Sequence, residues 1–285
     1  MNETQKGAKA LIIVEGEKLE PRFFANLKIA FDLSFEIYIV KANIYELYQE
    51  MKRNNFMLDI KTVLTEVGKP TTEMLDLLKQ KFAYTYLVFD FDAHHTEVYE
   101  KDLDLDIDTI VKGNISKLEE MTNYFIDETD PTIGRLYVNY PMMESYRDCD
   151  SFFEDAYAGN CVSIDDIAAY KEIVGKRKLA SIHLSKYGQE GFSLLSKMNV
   201  FKLNKMQTDC WVGMPYNNYV ILSAATKILE CQANMVIEER AIAVINTALF
   251  IVLDHFGNRD GFYDSVVFGV SGKPEEEQQK VLQTV

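Results

Sequence analysis

The chain has 285 residues, 47% hydrophobic and 26% charged, with a formal net charge of −14. That suits one large or two ordinary globular domains with a sizeable core. The negative balance disfavours non-specific attraction to phosphate backbones, unless bound cations, a local basic patch or a basic partner offsets it.

The opening MNETQKGAKA is polar and has no apolar signal region. Leu11-Ile12-Ile13-Val14 reads as a strand buried on both faces, because its apolar run is continuous. Glu15-Gly16-Glu17 follows as an acidic glycine turn, where Gly16 lets the backbone turn sharply. A helix opens directly after it with Pro21 in its first turn, and Phe23 and Phe24 belong to the core. The alternating, aromatic Ser34 to Val40 predicts a second strand. Asn43 to Arg53 predicts a helix with Ile44, Leu47 and Met51 on one face. Asp59 to Val67 is helical until Gly68-Lys69-Pro70, and Thr71 or Thr72 caps a further helix to about Phe82.

Tyr84 to Asp92, YTYLVFDFD, is a third apolar strand. Ala93 to Asp108 is a polar, acidic loop, after which Asp108 or a neighbour caps a helix from about Thr109 to Asp127. Arg135 to Tyr140 is a fourth strand, and Pro141 starts the segment that carries Glu144. Strands separated by helices predict right-handed crossovers and a mainly parallel sheet. From about Ser151 the pattern becomes helical, with helices near 164–174, 189–198, 216–235 and 238–256, and a strand near Val266 to Val270. The apolar stretch Ala241 to Leu253 is broken by Asn246-Thr247. It falls short of the ~18 residues of a membrane span and reads as a buried core helix. The expected division is residues 1–150, 151–271 and a mobile tail, 272–285. The expected compartment is cytoplasmic, since four scattered cysteines without a CxxC pair read as reduced thiols and leave no zinc site.

The chemistry concentrates at strand ends. Ligands of open α/β sheets bind beyond the carboxyl ends of the strands, where Glu15 stands. Residues two apart on a strand point the same way, so Asp90 and Asp92 face one point. If the two strands are neighbours, Glu15, Asp90 and Asp92 form a carboxylate cluster. Such a cluster repels itself unless it shares a cation, and hard oxygen ligands favour Mg²⁺ or Mn²⁺.

An apolar strand ending in Glu-Gly, followed by a later one ending in Asp-x-Asp, resembles the Toprim domain. The form VEGEKLEPRFF is most similar to the RloB and OLD-like nuclease branch, and to the Toprim effector subunits of phage-defence systems such as PARIS. The segment NYPMMESY (139–146) matches that branch's strand, turn and further glutamate, here Glu144. The resemblance covers roughly residues 9–150. It implies a Rossmann-like α/β catalytic domain followed by a helical subdomain. It also implies an endonuclease that uses Mg²⁺ or Mn²⁺ on RNA, with tRNA among the candidates, or on DNA. Glu15, Asp90, Asp92 and Glu144 would be its catalytic and metal residues, with Glu15 a metal ligand or a general acid or base. It further implies a homodimer and a toxic effector held silent by a partner ATPase, with no membrane role.

Secondary candidates surround this set. Glu17 is a lesser acidic one. Lys18 opposes the dipole of the helix it precedes, as a phosphate contact would. His94 and His95 follow the second aspartate closely enough to reach a scissile phosphate. The most basic window, Lys171 to Lys186, holds Lys171, Lys176, Arg177, Lys178, His183 and Lys186 between Tyr170 and Tyr187. It is a candidate nucleic-acid track, with the tyrosines as stacking platforms. Two rival readings stand beside the nuclease. One is a non-catalytic Toprim-like regulatory or assembly subunit, in keeping with the negative charge. The other is an aspartyl phosphatase, suggested by the Asp-x-Asp strand end but without its partner residues.

Overall fold

The computed structural model describes residues 9–96 and 105–269. The chain divides into two compact units, Met1–Met143 and Glu144–Val285. The expected tail and residues 97–104 of the acidic loop lie outside the described residues.

The first unit is an α/β layer structure. Strands β1 (Ala10–Val14), β2 (Phe35–Ile39), β3 (Tyr84–Asp90), β4 (Ile126–Asp127) and β5 (Gly134–Asn139) form one sheet in the order β2-β1-β3-β5-β4. The pairs β1·β2, β1·β3 and β3·β5 are parallel, and β4 alone runs antiparallel, against β5. Helices α1 (Leu19–Phe31), α2 (Ile44–Arg53), α3 (Ile60–Gly68), α4 (Thr72–Leu78) and α5 (Ile107–Tyr124) connect the strands. The fold is the expected Rossmann-like one, with a mostly parallel sheet flanked by helices. β1 is buried along its whole length, as its unbroken apolar run requires.

Local chemistry sets the helix starts. Asn43 accepts from the backbone N–H groups of Tyr45 and Glu46, and Glu46 returns a bond to the Asn43 N–H, a complete capping box. Asp59, Thr71 and Asp106 cap α3, α4 and α5 through side-chain oxygens. The sequence misses β4. Two residues give no periodicity, and the strand exists because β5 offers it a ladder.

The second unit is mostly helical, with two departures from expectation. Helices α6 (Tyr170–Val174), α7 (Lys178–Ser181), α8 (Gly188–Thr208), α9 (Tyr216–Leu222), α10 (Ala225–Glu239), α11 (Phe250–Phe256) and α12 (Phe262–Val267) are joined by a two-stranded antiparallel sheet of β6 (Cys161–Ser163) and β7 (Ala241–Ala243). The expected core helix over Ala241 to Leu253 is therefore β7, a short connection, a 3-10 turn at Thr247–Leu249 and the start of α11. Arg240 adopts a left-handed conformation that ends α10, and the Gln232 side chain completes β7 by bonding both the N–H and the C=O of Ala243, each at 2.9 Å. Every residue from Ala241 to Leu253 is buried, so the apolar run reports burial and not helicity. Of the strand predicted near Val266 to Val270, residues 266 and 267 are the end of α12, and Val270 lies outside the described residues. The predicted 216–235 helix is two helices, α9 and α10, bent by 64° at Ser223-Ala224. That pair meets the length and composition of a membrane span only when taken together. Among the described residues no single helix is long and apolar enough to cross a membrane.

Candidate functional site

The strand order places a topological switch between β1 and β3. The chain leaves β1 toward β2 on one side, then returns to β3 on the other. A crevice opens at such a point, outside the carboxyl ends of the two strands. Val14 pairs with Val88, so Glu15 and Asp90 sit at these neighbouring ends.

Glu15 follows β1 directly and is half-buried. Gly16 donates its N–H to the Glu20 carboxylate at 3.1 Å. Its φ is not positive. The requirement for glycine is one of close approach, since a Cβ there would lie 2.5 and 2.6 Å from the two Glu20 oxygens. Glu20 itself is only 8% exposed, in the first turn of α1. Sequence reading missed it as a site residue. The available signal was a glutamate five residues after Glu15, at a helix start, where a carboxylate complements the helix dipole.

Asp90 ends β3, is 9% exposed and pairs in register with Asn139. The Asn139 amide donates weakly to it at 3.5 Å. Burial pushes the Asp90 carboxyl well above the usual carboxylate range, and the charges of Glu15, Asp92 and Glu20 push it further. A hydrogen bond from the Met143 backbone opposes them and loses.

Asp92 corrects the sequence argument. It lies beyond β3 with a φ of 38°, so it does not share Asp90's face through strand alternation. Its N–H donates to Pro141 O at 3.2 Å. Its charge nevertheless adds to the effects that raise the Asp90 pKa.

The remaining candidates are distributed as follows. Glu17 is exposed and forms an ion pair with Lys41 at 2.5 Å. Lys18 is exposed at the residue before α1. His94 and His95 lie in the turn after Asp92, where the His94 Nδ1 and His95 Nε2 atoms are buried and without a hydrogen-bond partner among the described residues. Glu144 is the first residue of the second unit, in a 3-10 turn, 8% exposed, with Lys171 Nζ at 3.5 Å.

The basic window is less available than its composition suggests. Arg177 donates through Nε to the buried Asp148 at 2.8 Å. Tyr170 donates its hydroxyl to the other Asp148 oxygen at 3.1 Å, and Tyr187 donates to Leu179 O at 3.1 Å. Both tyrosines are buried, so neither is a stacking platform. Lys176, Lys178, His183 and Lys186 remain exposed.

Among the described residues no three His, Cys, Asp or Glu side chains converge as a ready metal cage. Mg²⁺ does not require one. It keeps several waters and is bound by one or two carboxylates together with substrate phosphates. A buried aspartate whose pKa is raised by burial and by the charges of three other carboxylates has the donor chemistry that such an ion satisfies. The chain matches no family model, no curated protein and no solved structure.

Proposed function

We propose that the protein is a Mg²⁺- or Mn²⁺-dependent phosphodiesterase acting on RNA or DNA. The observation that carries this reading is Asp90: a carboxylate buried at a central strand end, at the switch point, against the charges of Glu15, Asp92 and Glu20. Glu15, Asp90 and Asp92 are the residues that would hold the ion. A cation bound there would supply Lewis-acid stabilisation of the charge that develops on a phosphodiester undergoing in-line attack. Glu20 ties its carboxylate to the Gly16 N–H and so fixes the turn that carries Glu15. Glu15, at the rim and half-buried, would exchange a proton with solvent or join the ion. The resemblance to defence effectors extends the proposal to a toxic nuclease, homodimeric and restrained by a partner ATPase. That extension is by analogy of motif alone.

A second reading is a non-catalytic regulatory or assembly subunit on the same scaffold. It is favoured by the net charge of −14 and by the engagement of Arg177 with Asp148. The test is cleavage of labelled tRNA, single-stranded RNA and plasmid DNA with Mg²⁺ or Mn²⁺, beside an Asp90→Ala/Asp92→Ala control. Metal-dependent cutting that the control lacks supports the nuclease. No cutting of any substrate, with or without a co-purified partner, supports the subunit.

A further inference from the structure

The turn after β3 is held by two backbone bonds, from the Phe91 N–H to Asn139 O at 3.0 Å and from the Asp92 N–H to Pro141 O at 3.2 Å, and side chains from two helices add to them. Tyr45 of α2 is fully buried and donates its hydroxyl to the Phe91 carbonyl. Its ring stacks on His95 with centroids 4.8 Å apart and planes 11° apart. Asn114 of α5 is 1% exposed and uses its amide nitrogen twice, donating to Ala93 O at 3.0 Å and to His95 O at 2.9 Å. The His95 N–H closes the turn onto Asp92 O at 2.7 Å. Lys117 stands 5.6 Å from the Tyr45 ring centroid and 3.5 Å from the Asn114 oxygen. Asp92, in the middle of this segment, keeps a left-handed backbone that L-residues visit rarely.

We infer that Tyr45 and Asn114 are positioning residues that clamp residues 91–95, so that the Asp92 carboxylate stays beside Asp90 for cation binding. The inference rests on the metal reading proposed above. Its physical basis is that a buried phenol and a buried amide must be paired, and here both are paired to the backbone of one turn. Loosening either bond lets the backbone at Asp92 relax toward commoner conformations. The Asp92 carboxylate then moves away from Asp90. Groups that orient ligands in this way commonly change metal affinity by about 10–100-fold when removed.

The test is Mn²⁺ titration of the full-length protein by calorimetry, without substrate, with amide hydrogen exchange across residues 91–95 and the unfolding midpoint recorded alongside. The variants are Tyr45→Phe, which keeps the stacking ring, and Asn114→Leu. Tyr48→Phe is the control, since the Tyr48 hydroxyl bonds Glu120 at 3.0 Å and touches no part of this turn in that bond. The expected result is about a 10-fold loss of Mn²⁺ affinity and faster exchange in the first two variants, with the control unchanged. Tyr45→Phe folding normally and binding Mn²⁺ as tightly as wild type would overturn the clamp while leaving the metal reading standing. Wild type binding no Mn²⁺ would overturn the metal reading and the clamp's role with it. If Asn114→Leu fails to fold, Tyr45→Phe decides alone.

Discussion

Lys202 offers the sharpest quantitative test of the second unit. It lies on α8, is 3% exposed, and donates from Nζ to Ala158 O at 2.9 Å, to Asn160 O at 2.7 Å and, more weakly, to Tyr157 O at 3.4 Å. All three ammonium donors thus go to carbonyls, and among the described residues no carboxylate pairs with it directly. Burial lowers its pKa from the ordinary 10.5 to about 8. At about 1.4 kcal/mol per pH unit, that gap corresponds to about 3 kcal/mol. The sign follows from proton binding. Below pH 8 the lysine is charged in both states, and the folded state bears the whole desolvation cost. Between about 8 and 10.5 the unfolded chain holds more protons than the folded one, so stability rises with pH. Lys202→Met removes the titration. Urea unfolding of both proteins from about pH 7 to about pH 10.5 isolates it, because buried tyrosines such as Tyr157 and Tyr170 cancel in the difference. Wild type should gain about 3 kcal/mol relative to the variant across that window. Two curves that stay parallel would refute the reasoning.

Three further outcomes follow from named contacts. Asp90→Asn should melt above wild type near pH 8, by about 2–4 °C per kcal/mol of relieved burial and repulsion, and the gap should close below the usual carboxylate range. This is because a raised carboxyl pKa makes ionisation cost the folded state as pH climbs; thermal scans at several pH values check it. Arg177→Ala should destabilise the protein by about 3 kcal/mol, since it leaves the buried Asp148 without its cation, and denaturant midpoints measure that. Gly16→Ala should displace the Glu20 carboxylate and weaken Mn²⁺ binding by about 10-fold, with circular dichroism unchanged because the backbone there needs no positive φ.

The candidate site was legible where the determining interactions are local. Glu15 and Asp90 follow apolar runs long enough to be buried strands, and a polar residue at such an end has few places to go except the sheet's rim. Asp92 was found for an incomplete reason. Strand alternation does not reach it, and its conformation is set by a turn that Pro141 O, Tyr45 and Asn114 hold from elsewhere in the chain. Glu20 escaped notice because a glutamate in a first helical turn is ordinary. Its burial depends on the approach of Gly16.

The same division runs through the whole chain. Short-range pattern sets the α/β order of the first unit, its capped helices and its continuous core strands, because periodicity and capping act within a few residues. Packing made Ala241 to Ala243 a strand, because Gln232 and β6 supply its partners from elsewhere in the chain. It also decided that Arg177 and Tyr170 bond a buried aspartate, since Asp148 lies more than twenty residues away in the chain. Such partners are fixed by packing, which no short window of sequence contains.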